Sequence, residues 1–161
     1  MTVIETRQEA PARDTRTLVL DVISAISRFW LAGVWILGGV TKIGNHMDVT
    51  QSIVAYEIFT PYWSDLLARI IGPAELAGGL FLLLGLWLRP SGKLSAVVLV
   101  LFIIGLSQAW ARGLEIDCGC FSPAGAEPST DYLTTILRDV LFVAMSLWTV
   151  YRPFRKWAIY P

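Results

Sequence analysis

Four apolar runs, each long enough to cross a hydrocarbon core as a helix, constrain this chain more than any other feature: about Leu20–Ile43, Leu66–Leu88, Leu94–Ala111 and Leu133–Tyr151. A bilayer core of about 30 Å needs roughly 17 to 25 helical residues, because each residue advances only about 1.5 Å. The two later runs sit near the lower end of that range, and each closes on interfacial aromatics, Trp110 in one and Trp148 with Tyr151 in the other. A soluble helical core needs polar helix faces that these runs lack. Only 16% of the residues are charged, against about 25% in soluble domains, so lipid is the expected solvent. Thirteen basic and thirteen acidic residues cancel, and no bulk attraction to nucleic acid is expected.

The placement of those charges sets a topology. The segments before the first run, between the second and third, and after the fourth hold Arg7, Arg13, Arg16, Arg89, Lys93, Arg152, Arg155 and Lys156. The two opposite loops hold Arg112 against Asp48, Glu57, Asp65, Glu115, Asp117, Glu127 and Asp131. By the positive-inside rule both termini are cytoplasmic and the two loops face outward. The N-terminal stretch does not read as a cleavable signal, since its apolar run is too long and no small-residue cleavage site follows.

The expected fold is an all-α membrane protein, a four-transmembrane-helix antiparallel bundle with a short interfacial helix in the first outer loop. Residues 1–19 form a cytoplasmic tail, 20–151 the membrane domain and 152–161 a second cytoplasmic tail. In the first outer loop, about Gly44–Ser64, Val49, Ile53 and Tyr56 recur at helical spacing. Arg89-Pro90-Ser91-Gly92-Lys93 reads as a tight turn joining the second and third spans.

Charges inside the apolar runs each cost about 2.5–3.5 kcal/mol at a helix centre unless paired or wetted. On the first span Arg28, Ala32, Trp35, Gly39 and Lys42 share one stripe, and small Ala32 and Gly39 let a neighbouring helix approach. Ala68, Gly72, Glu75 and Gly79 make a similar stripe on the second span. Glu75 lies deep, and Arg28 is its expected partner. The fourth span carries Thr135, Asp139, Phe142, Ser146 and Thr149 on one stripe, with Arg138 beside it. Arg69 and Arg138 fall near the outer boundary. These charges either lock helix register or line a polar pocket, and the sequence does not separate the two.

The only two cysteines, Cys118 and Cys120, stand either side of Gly119 in the second outer loop. One intervening residue permits the roughly 4.4–6.8 Å between α-carbons that a disulfide needs, and glycine supplies the backbone freedom to close so small a ring. A strained, outward-facing disulfide is suited to exchange. Asp117 and Glu115 would raise the thiol pKa, whereas Arg112, Arg69 or Arg138 would lower it. A permanent structural disulfide, a metal site completed by His46 and inert cysteines in an architectural subunit are the competing readings. Two cysteines and one histidine make at best an incomplete metal site, so no metal is expected.

These residues resemble the MauE branch of the DoxX-like four-helix membrane proteins. The resemblance rests on Arg28 with Gly39-Val40-Thr41-Lys42, on Tyr56 and Pro61, on Pro73-Ala74-Glu75-Leu76-Ala77-Gly78-Gly79 with Leu82-Leu83-Leu84-Gly85, on Asp117-Cys118-Gly119-Cys120-Phe121, and on Arg138-Asp139. It covers about residues 20–150, and Ser122 departs from it where the pattern usually has another glycine. It implies thiol and disulfide handling outside the cytoplasmic membrane beside a thioredoxin-like partner, with Cys118 and Cys120 as the reactive pair. Analogy to other four-helix disulfide oxidoreductases adds a membrane quinone as electron acceptor. The alternative is a non-catalytic accessory subunit of a larger membrane complex.

Overall fold

The computed structural model describes residues 15–114, 116, 131–155 and 157–160. Within them all regular structure is helical: α1 (Thr15–Ile43), α2 (His46–Ala55), α3 (Pro61–Leu84), α4 (Leu88–Ala111) and α5 (Tyr132–Tyr151). All but α2 are long and apolar enough to span a membrane. Cys118 and Cys120 lie outside the described residues.

Local chemistry sets the helix ends. The Asn45 side chain donates to the Thr41 carbonyl at 2.8 Å, and its main-chain N–H donates to Lys42 at 3.1 Å. Its own carbonyl then accepts from Val49 and starts α2, so one residue ends a helix and begins the next. Pro61 opens α3, where its missing N–H removes nothing.

The joint between α3 and α4 corrects the expected turn at residues 89–93. Gly85, at φ +70°, ends α3, with its N–H donated to Leu82 and that of Leu86 to Phe81. This crossed pair of bonds needs a left-handed residue that glycine adopts without strain. Trp87 precedes α4, and Arg89 to Lys93 form its opening turns. Pro90 fits there because the first-turn N–H groups have no helical partner.

The small-residue stripes do the packing. An added Cβ on Gly39 would lie 2.5 Å from the Leu76 backbone nitrogen, and one on Gly79 would lie 2.8 Å from that of Ile36. As α1 advances from Arg28 to Ile43, its neighbours on α3 retreat from Leu82 to Gly72. On the other side α5 follows α4 in the same reversed order, with Gly92 near Val150, Ser95 bonded to Ser146, and Trp110 stacked on Tyr132 at 6.1 Å. Leu31, Ala32, Leu82 and Phe142 form one buried cluster, and Leu106, Ala109 and Ile116 form a second. Between helices, the Trp35 indole donates to Ser95 at 2.9 Å and the Trp148 indole to Ser24 at 3.1 Å.

Gly39→Ala should therefore destabilise the protein by about 1–3 kcal/mol, since backbone must move to admit the methyl group. Gly33→Ala, with nothing within 4 Å of its added Cβ, should be neutral or slightly stabilising. Equal melting shifts for the two variants in detergent would contradict this packing.

The described part of the C-terminal segment folds back onto the α3–α4 joint. The Trp87 N–H donates to Tyr160 at 2.9 Å and that of Ile159 to Leu84 at 3.0 Å. Phe154 meets Phe29 edge-on at 6.3 Å. An added Cβ on Gly85 would meet Ala158 and the Arg28 guanidinium, each at 2.6 Å.

Candidate functional site

The residues singled out by sequence divide between the two ends of the helices. At the end bearing the α3–α4 joint, the fully buried Arg28 spreads its guanidinium over main-chain carbonyls. Nε donates to Leu82 at 2.8 Å, Nη2 to Leu83 at 2.9 Å and Trp157 at 3.3 Å, and Nη1 to Phe154 at 2.9 Å. Two of these acceptors are carbonyls in the last turn of α3, where the helix dipole favours a cation, and Leu82 also accepts from the Gly85 N–H.

The expected Arg28–Glu75 pair is not formed. Glu75 accepts from Lys42 instead, with Nζ at 2.5 Å from Oε1 and 2.7 Å from Oε2. The reason is register: contacts at Gly39 and Gly72 bring the last turn of α1 opposite the middle of α3, whereas Arg28 sits more than three turns away along α1. The Lys42 and Glu75 side chains are only 15% and 16% exposed, so each is the other's principal compensation for leaving water.

Three further ion-pair groups lie toward the end from which the cysteine segment departs. Asp65 accepts from Arg69 at 3.1 Å and faces His46 at 3.0 Å, tying α2 to the start of α3. Arg112 pairs with Glu57 and donates to the Tyr56 carbonyl, joining the end of α4 to the end of α2. Arg138, about 9 Å along α5 from its first residue, donates to Asp139 through Nε and Nη2 at 3.1 Å each. Asp139 is buried, and among the described residues its second oxygen has no hydrogen-bond partner. Just outside α5, the Thr134 hydroxyl donates to Asp131 and holds that carboxyl below its usual range.

Both flanks of the cysteine segment are anchored. Ile116, two residues before Cys118, is buried against Leu106 and Ala109. Tyr132, at the far flank, stacks on Trp110 and donates its hydroxyl to the Leu114 carbonyl. Arg69, Arg112 and Arg138, the three cations expected to acidify a thiol, each already face a carboxylate. Their fields at this end are largely offset.

A family model described as methylamine utilisation protein MauE matches residues 20–152. The chain belongs to the MauE family. No curated protein and no solved structure matches it. With four helices able to span a bilayer, this MauE-family chain is a multi-pass membrane protein. The matched region contains every residue described in this site except Phe154 and Trp157 of the C-terminal segment.

Sequence reasoning found the inward stripes, and Asp139, Phe142, Ser146 and Thr149 of α5 are all buried. It passed over Asp65 and Glu57 as partners. His46 followed by Asp65 at the start of an apolar run was the available signal for the first. Glu57 and Arg112, 55 residues apart, carried none.

Proposed function

We propose that this MauE-family protein supports thiol/disulfide exchange on the extracytoplasmic face of the membrane through Cys118 and Cys120. The observation that carries the reading is the position of the pair: the chain's only cysteines lie between Ile116 and Tyr132, two residues held firmly at one end of the helices. The family's association with methylamine utilisation agrees with a role in maturing a disulfide-containing partner.

In this reading the four long helices form an antiparallel bundle in the bilayer, α2 lies along its outer surface, and both termini are cytoplasmic. The excess of basic residues beside the termini and the α3–α4 joint supports that orientation. A thiolate of a thioredoxin-fold partner attacks one sulfur of the Cys118–Cys120 disulfide, forming a mixed disulfide and releasing the other sulfur as a thiolate. The partner's second thiolate then attacks the mixed disulfide, leaving the partner oxidised and Cys118 and Cys120 reduced. Reoxidation passes two electrons to a membrane quinone, and the quinol takes up two protons. Because the chain has no second cysteine pair, that transfer is direct.

Labelling intact cells tests the reading. After mild reduction, a membrane-impermeant maleimide should modify Cys118 and Cys120 without permeabilisation, and the oxidised pair should return when the reductant is removed. Labelling only in permeabilised cells would overturn the orientation. A pair that resists mild reductant would make the disulfide structural, and the protein an accessory subunit.

A further inference from the structure

At the end of α4 away from Ile116, two depressions meet at Trp87. One is a cleft of about 180 Å³ lined by Trp87, Leu88, Arg89, Pro90, Pro153 and Arg155. The other is an apolar groove of about 350 Å³ lined by Phe81, Leu86, Trp87 and Tyr160. The cleft exists because the C-terminal segment folds back beside the first turn of α4 and brings Arg155 to the same hollow as Arg89.

Both arginines are exposed, and among the described residues neither has a carboxylate partner. Asp21 is the one described carboxylate at this end, and Arg152 engages it at 3.0 Å. Two like charges lining one small cleft repel, so the hollow favours an anion. Among the described residues no side chain caps the start of α4, and its N-terminal dipole adds to the same field. Trp87, Trp157 and Tyr160 are 60%, 82% and 64% exposed here, which suits the headgroup level of a bilayer, where aromatic rings concentrate.

We infer that this end binds one anionic phospholipid, its phosphodiester between Arg89 and Arg155 and an acyl chain along Phe81 and Leu86. A cationic cleft sharing a wall with an apolar groove matches a lipid more closely than a free anion, which would leave the groove unused. The inference needs the helices to span a membrane and is independent of thiol exchange.

Native mass spectrometry of the full chain released from detergent micelles tests it, using phosphatidylglycerol and a phosphatidylcholine with the same acyl chains. Each arginine near an anionic headgroup is worth roughly fivefold, so phosphatidylglycerol should be retained at least about fivefold over phosphatidylcholine. The double variant Arg89→Gln/Arg155→Gln should bring the two lipids near parity. Arg69→Gln, at the opposite end, should keep the preference. If the double variant does not fold, the single variants carry the test, each expected to lose part of the preference. Inorganic phosphate at millimolar concentration should leave the bound lipid in place. Equal retention of the two lipids, an unchanged preference in the Arg89 and Arg155 variants, or complete displacement by phosphate would each overturn the inference.

Discussion

Replacing Arg28 with alanine should destabilise the protein by about 3–5 kcal/mol and detach the C-terminal segment from the α3–α4 joint. The guanidinium is fully buried and donates to the carbonyls of Leu82, Leu83, Phe154 and Trp157. Its loss strips donors from carbonyls at the end of α3 and in the segment that packs on it. A lysine carries the same charge on a point-like head that cannot span all four acceptors, so Arg28→Lys should recover only part of the loss. Thermal unfolding in detergent measures the stability, and trypsin cleavage at Arg155 reports the segment's release. Melting within about 0.5 kcal/mol of the parent, the range of ordinary surface substitutions, would show that these bonds are not what holds the joint.

Glu75→Ala should cost about 3–5 kcal/mol, because it leaves Lys42 as an uncompensated charge among helices. Lys42 and Glu75 lie within 2.5 Å and are mostly buried, so the two substitutions should be strongly coupled. A Lys42→Met/Glu75→Met double variant should recover most of the loss, since apolar side chains of similar size have no desolvation penalty to offset. Additive losses in the double-mutant cycle would mean that the pair does not act as a unit.

The architecture was legible in the sequence because the bilayer demands it. Run length identified all four spanning helices, and the spacing of Val49, Ile53 and Tyr56 located α2. Small residues at 39, 72 and 79 marked the α1–α3 contact, where an added Cβ has no room at 39 and 79 and is tightly crowded at 72. What escaped was set by register between helices. Two cations, Arg28 and Lys42, share one stripe, and only the depth at which α1 meets α3 decides which reaches Glu75. The α3–α4 joint was misplaced because Gly85 is hidden in an apolar run, while Pro90 and Gly92 resemble a stop signal. The folding-back of residues 153–155 and 157–160 depends on carbonyls that accept from Arg28, and backbone acceptors leave no trace in side-chain pattern. The cysteine pair is the reverse case: conspicuous in sequence, with only its anchored flanks described.

Trapping a mixed disulfide tests the central claim most directly. Run in reverse, the exchange starts when the Cys118 thiolate of a Cys120→Ser variant attacks the oxidised partner's disulfide and releases one partner thiolate, and the Cys120 thiol that would complete it is absent. Non-reducing electrophoresis of cells quenched with acid should then show a covalent adduct between this chain and an extracytoplasmic thioredoxin-fold protein. The adduct should collapse on reduction and be absent when both cysteines are serine, and the Cys118→Ser variant shows which sulfur is attacked. No adduct from either single variant, together with undiminished maturation of the partner, would contradict the account and leave the protein an architectural subunit.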